Sequence, residues 1–147
     1  MTSRTVRSTL IPSLRYRDAP AMIDWLCRAL GFQRHAVYED GEGGIAHAQL
    51  SFGDGLLMLG SARDDDWGRR FAAPADIGNR VTQSCCCLVA DPDAHYAQAK
   101  AAGAQIVDEL HSPEFGGRAY SCRDPEGQLW WFGSYDPWSV PAAGRRA

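Results

Sequence analysis

Apolar and polar positions along the chain run twice through one order: an extended run, a helical run, then three more extended runs. Positions 9–17 alternate in part, with Leu14 and Tyr16 on one face and Ile11, Ser13 and Arg15 on the other, which predicts a strand whose pairing Pro12 limits. Asp18 then stands at an N-cap position and Pro20 in the first turn, and Met22, Ile23, Trp25, Leu26, Ala29 and Leu30 recur at helical spacing until Gly31. Positions 32–39, 45–52 and 56–59 read as strands. In the second of these, Ala46, Ala48, Leu50 and Phe52 make one face and His47, Gln49 and Ser51 the other.

The second half restates this order. A strand is expected over 81–90, and Asp91 repeats the cap of Asp18. Pro92, Tyr96, Ala97, Lys100 and Ala101 carry a helix to Gly103, and strands follow at 105–110, 118–123 and 128–135. The last two are joined by Asp124-Pro125-Glu126-Gly127, in which Pro pre-sets φ and Gly accepts the positive φ a tight turn needs. In the final strand Leu129, Trp131, Gly133 and Tyr135 share one face and Trp130 and Phe132 the other. A strand loaded with aromatics on both faces needs two covers, one a helix and the other open to a ligand.

These periods predict an α+β protein of one domain, 1–147, built from two βαβββ modules at 9–62 and 81–138. A connecting loop at 63–80 carries Trp67 and Phe71, and a flexible tail spans 139–147. Residues 1–7 carry no pattern and read as a loose start.

Composition removes several classes. The 147 residues hold no apolar run long enough to cross a bilayer and no signal-peptide core after Met1, so a cytoplasmic protein without a membrane partner is expected. A formal net charge of -3 gives no basic footprint for nucleic acid. Cys27, Cys85, Cys86, Cys87 and Cys122 are odd in number and lack paired CxxC spacing. Three adjacent cysteines in an extended run alternate faces, so they read as small core residues in a reducing cell.

The capped helices DAPAMIDWLCRALGF and DPDAHYAQAKAAGA, the loop FGGR and the hairpin DPEGQLWWFGSY, in that order and spacing, resemble the vicinal oxygen chelate superfamily of glyoxalases, extradiol dioxygenases and fosfomycin- and bleomycin-resistance proteins. The resemblance covers 9–138 and implies two modules forming a U-shaped mixed sheet around a cleft, in a homodimer. Metal-using members place one ligand on the first and last strand of each module, commonly His or Gln, then Glu, His and Glu. Carried over, those positions fall on Ile11, Met58, Ser84 (Cys85 if the register slips by one) and Trp131, which is no ligand set for a divalent ion. The resemblance therefore implies a site with no metal and no cofactor.

The candidate ligand-binding residues are Ile11, Ser13, His47, Gln49, Met58, Trp67, Phe115, Arg118, Trp131 and Tyr135: apolar and aromatic walls with a few polar groups, as a small-molecule site requires. The favoured reading is the bleomycin-resistance type, a protein that binds a small aromatic or amphipathic molecule. Two others stay open. One is a lyase, isomerase or dioxygenase of the same superfamily, using a non-standard metal set such as His47 with Cys85 or Glu114, or His47 as acid-base group beside Glu39 or Glu114. The other is a structural dimer whose cleft Trp131 fills.

Overall fold

The computed structural model describes residues 7–140, so residues 1–6 and 141–147, which include most of the expected loose start and flexible tail, lie outside the described residues. The chain runs β1 (Ser13–Tyr16), α1 (Ala19–Leu30), β2 (Gln33–Glu39), β3 (Ile45–Phe52) and β4 (Gly55–Ser61). It continues through β5 (Cys85–Leu88), α2 (Pro92–Ala101), β6 (Gln105–His111), β7 (Ala119–Arg123) and β8 (Leu129–Gly133). The two βαβββ modules are as expected. Each builds its own four-stranded mixed sheet, in the orders β1-β4-β3-β2 and β5-β8-β7-β6, with the first strand of each module parallel to the last.

Local chemistry sets the helix ends. The Asp18 side chain accepts from the Ala21 N–H and the Asp91 side chain from the Ala94 N–H, each satisfying a donor that the first turn leaves free. Gly31 ends α1 at φ 85°, a left-handed conformation that side chains with a Cβ avoid. Helix α1 buries Ala19, Met22, Ile23, Trp25, Leu26, Ala29 and Leu30 along one stripe. This stripe covers Ala48, Leu50, Leu57 and Leu59 of the first sheet, the face that alternation assigned to the interior.

β1 and β5 are the strands that fall furthest short of their patterns. β1 begins at Ser13 because Pro12 has no N–H to donate, although its carbonyl still accepts from the Met58 N–H at 2.9 Å. β5 is only Cys85–Leu88, the length that pairs with 130–133 of β8, and positions 81–84 run alongside a cavity instead. The connecting loop holds two short 3₁₀ turns, Gly68–Arg70 and Pro74–Ile77.

One hydrophobic core serves both modules. On the second sheet Trp130, Phe132, Tyr120 and Cys122 face α2, where the His95 ring lies 4.2 Å from Phe132. Across the module boundary Phe32 meets Trp130 edge-on at 5.5 Å, and Phe52 stands 6.0 Å from Phe132. The helices touch as well: Trp25 Nε1 donates to the Ala102 carbonyl at 2.8 Å and Gln98 Nε2 to the Arg28 carbonyl at 2.8 Å.

His95 is held from both sides of this boundary. Its Nε2–H donates to the Leu30 carbonyl at 2.8 Å, so Nδ1 is the acceptor for the Tyr120 hydroxyl at 2.6 Å. The expected hairpin turn ties the modules together a second time. Asp124, only 3% exposed, accepts from the Tyr16 hydroxyl at 2.6 Å, Trp130 Nε1 at 3.1 Å and the backbone N–H groups of Glu126 and Gln128. The Glu126 carboxylate accepts from the Arg17 and Asp18 N–H groups at 2.7 and 2.9 Å, just before α1 begins. Burial pushes the Tyr16 phenol well above its ordinary value and also raises Asp124 against the pull of its four donors.

Candidate functional site

The helix-bearing faces of the two sheets turn toward one another across the shared core. The opposite faces are therefore turned away from it, and one chain does not stack one upon the other. These two outer faces hold most of the candidate residues.

On the first sheet, register places Ser13, Met58 and Gln49 in one row across β1, β4 and β3, with His47 further along β3. The His47 ring stacks against Tyr38 with centroids 6.2 Å apart, and neither Glu39 nor Glu114 hydrogen-bonds to it. Ile11 lies just before β1, lining a groove of about 920 Å³ between the β3–β4 turn and β5.

On the second sheet Trp131 lies across its own strand. A Cβ at Gly133 would collide with its ring, so the glycine is what allows the indole to lie flat. Cys86 and Leu88 of β5 stand beside it in register with Trp131 and Gly133, and Leu88 is 46% exposed. Ser121 pairs with Trp131 from the other side and donates to Asp108 Oδ2 at 2.5 Å. Tyr135 continues the phase of Trp131 and Gly133 beyond the end of β8, and Phe115 meets it edge-on at 5.0 Å. The result is an aromatic patch in which Trp131 and Tyr135 are partly buried and Leu88 and Phe115 are exposed.

Two candidates lie apart from both sets. Arg118 is committed to Asp93 at 3.0 Å, at the start of α2. Trp67 packs on Phe71 at 5.6 Å within the connecting loop and stays 45% exposed. Sequence reasoning named the face of Ser13 and Arg15 but did not carry Arg15 into the site, and it missed Cys86, Leu88 and the Ser121–Asp108 pair. Strand alternation held the signal for Cys86, and the cross-strand register that brings in the others is not visible in one strand at a time.

The cysteines divide. Cys27, Cys85, Cys87 and Cys122 pack against the core as expected, and burial pushes the Cys87 and Cys122 thiols up to about 12. Cys86 departs from the core reading and is exposed on the outer face.

The four positions implied for metal ligands do not fit a divalent ion. Met58 and Trp131 offer no hard donor, Ile11 none at all, and Cys85 packs toward the core while Ser84 lies before β5 begins. Among the described residues no three His, Cys, Asp or Glu side chains converge. Among the described residues no helix is long and apolar enough to cross a membrane.

A comparison with curated proteins gives no significant match. Solved structures are similar. TioX from Micromonospora sp. ML1 is 32% identical, over 88% of this chain and 99% of that one, with a TM-score of 0.69. TnmS3, an antibiotic binding protein from Streptomyces sp. CB03234, is 19% identical over 92% and 99%, with a TM-score of 0.65. The fosfomycin resistance protein FosX from Mesorhizobium loti is 12% identical over 92% and 98%, with a TM-score of 0.63. The last two share the fold alone. The family model of the glyoxalase/bleomycin resistance protein/dioxygenase superfamily matches residues 8–132, and with the paired modules and the related TioX chain this shows that the protein belongs to that superfamily.

Proposed function

We propose that this protein binds a small aromatic or amphipathic molecule, without a metal, in a cleft whose two walls come from two copies of the chain. One wall is the outer face of the first sheet, with Ser13, Gln49, Met58 and His47. The other is the Trp131 face of the partner's second sheet. A twofold-symmetric dimer then has two such clefts, each taking one wall from each protomer. The observation that carries this reading is the indole of Trp131 laid over Gly133 beside the exposed Leu88, a partly exposed planar surface of the kind that holds flat ligands by stacking.

Three further points support it. The residues at the four implied ligand positions lack the donors a divalent ion needs. The fold is shared with TnmS3, whose description is that of an antibiotic binding protein. The thiols are all unpaired, which suits a reducing cytoplasm. Sequestration rather than turnover is the activity this site suits, because its walls offer mainly stacking surface and the His47 imidazole stacks on Tyr38 with no carboxylate bonded to it.

Elemental analysis of protein purified without chelator tests the metal-free part, with a metal-to-chain ratio near zero expected. A stoichiometric metal lost on mutation of His47 would overturn it. The binding part is tested with the fluorescent probe 8-anilinonaphthalene-1-sulfonate, whose saturable binding should be lost in Trp131→Ala while the protein stays folded. Undiminished binding in that variant would place the site elsewhere.

A further inference from the structure

Where the connecting loop passes between β1 and the approach to β5, it closes a second cavity of about 440 Å³. Three arginines, Arg15, Arg70 and Arg80, line it with no Asp or Glu among its walls, in a chain whose formal net charge is -3. Among the described residues none of the three forms an ion pair. Arg70 lies over the Trp67 ring and Arg80 Nε reaches the Ile77 carbonyl at 3.4 Å.

Arg15 is the most constrained of them. Its guanidinium lies across Gly60, where a Cβ would collide with Nη1, and against the Phe71 ring at 5.7 Å. Nη1 makes one long hydrogen bond, 3.4 Å to the Ser61 carbonyl. Arg15 Nε is the one buried side-chain nitrogen or oxygen among the described residues that has no partner. The nearby Asp65 pairs with Arg63 at 3.0 Å, and burial together with the Arg63 charge pushes Arg15 below its ordinary value. The guanidinium is thus held in place, partly dried, with the Asp65 charge nearby but no carboxylate bonded to it. Such an arrangement is unfavourable unless an acceptor completes it.

We propose that this cavity is an anion-accepting ligand site for a small aromatic molecule bearing a carboxylate. The carboxylate is received by the guanidinium of Arg15, whose planar set of donors suits it better than an ammonium would. Arg70 and Arg80 add positive charge at the walls, while Phe71 and Leu129 receive the ring. The cavity is built within one chain, so its occupancy does not require a second copy, although Ser13 borders both it and the proposed cleft.

Arginine Nε–Hε resonances of the full chain, titrated with naphthalene-2-carboxylate and with its neutral isostere 2-naphthamide, test the site directly. Saturable shifts at Arg15 are expected, with the carboxylate bound at least about tenfold more tightly than the amide and weakened by added salt. Arg15→Gln should remove the preference for the carboxylate. Arg80→Gln, an exposed change that leaves the fold alone, should reduce it about threefold or more. Equal affinity for acid and amide, a preference untouched by Arg80→Gln, shifts spread evenly over all exposed arginines, or no saturable shift would each overturn the proposal.

Discussion

Trp130 and Trp131 are neighbours in sequence with opposite fates. Trp130 is 2% exposed, packs on Phe32 and Phe132, and donates to Asp124. Trp131 is half-buried, with its ring laid on Gly133. Truncating each to alanine should separate the roles. Trp130→Ala is expected to cost about 3–5 kcal/mol of stability in urea unfolding, and Trp131→Ala under about 2 kcal/mol. Alternation alone predicted that these two side chains point to opposite faces. It did not reveal that Trp131 lies flat, because that depends on Gly133 being bare and on β5 arriving from far away in the chain. Arg15 was legible as a residue of the Ser13 face, but its lack of a partner is a fact of packing that no spacing encodes.

At the scale of elements, the turn Asp124–Gly127 and helix α2 join the modules. Turn chemistry was readable as a Pro-Gly hairpin, with Gly127 at φ 93°, yet the docking of its carboxylates on Tyr16, Arg17 and Asp18 was not, since those partners lie in the other module. Tyr16→Phe removes one of four donors to the buried Asp124 carboxylate and should cost about 1–2 kcal/mol, measured by the same unfolding. His95 adds a dependence on acidity. Burial holds its folded pKa below the ordinary value, and protonation would set Nδ1–H against the Tyr120 hydroxyl, its present donor. Above about pH 6.5 the imidazole is neutral in both folded and unfolded chains, so its contribution is fully present. As pH falls below that, the unfolded chain takes up a proton that the folded chain resists, and stability declines by up to about 1.4 kcal/mol per pH unit. Asp124, raised by burial, acts with the opposite sign, because its cost is relieved as the carboxyl protonates in acid. Unfolding followed from pH 7.5 to 5 should show the decline, and His95→Gln should flatten it.

For the whole molecule, two repeated modules were visible in the sequence because each carries its own caps, periods and turns. Their mutual arrangement was not, because it rests on Phe32 and Phe52 meeting Trp130 and Phe132 across more than half the chain. That arrangement turns the two candidate faces outward and makes the second copy part of the proposed site. Complementation tests this directly. Met58→Trp blocks one wall and Trp131→Ala removes the other, so each variant alone should fail to bind 8-anilinonaphthalene-1-sulfonate. After the two are unfolded together and refolded, mixed dimers have one cleft with both walls intact, and about a quarter of the wild-type binding capacity should return. If the mixture binds no more dye than the separate variants, the cleft is not shared between copies and the account of the site is wrong.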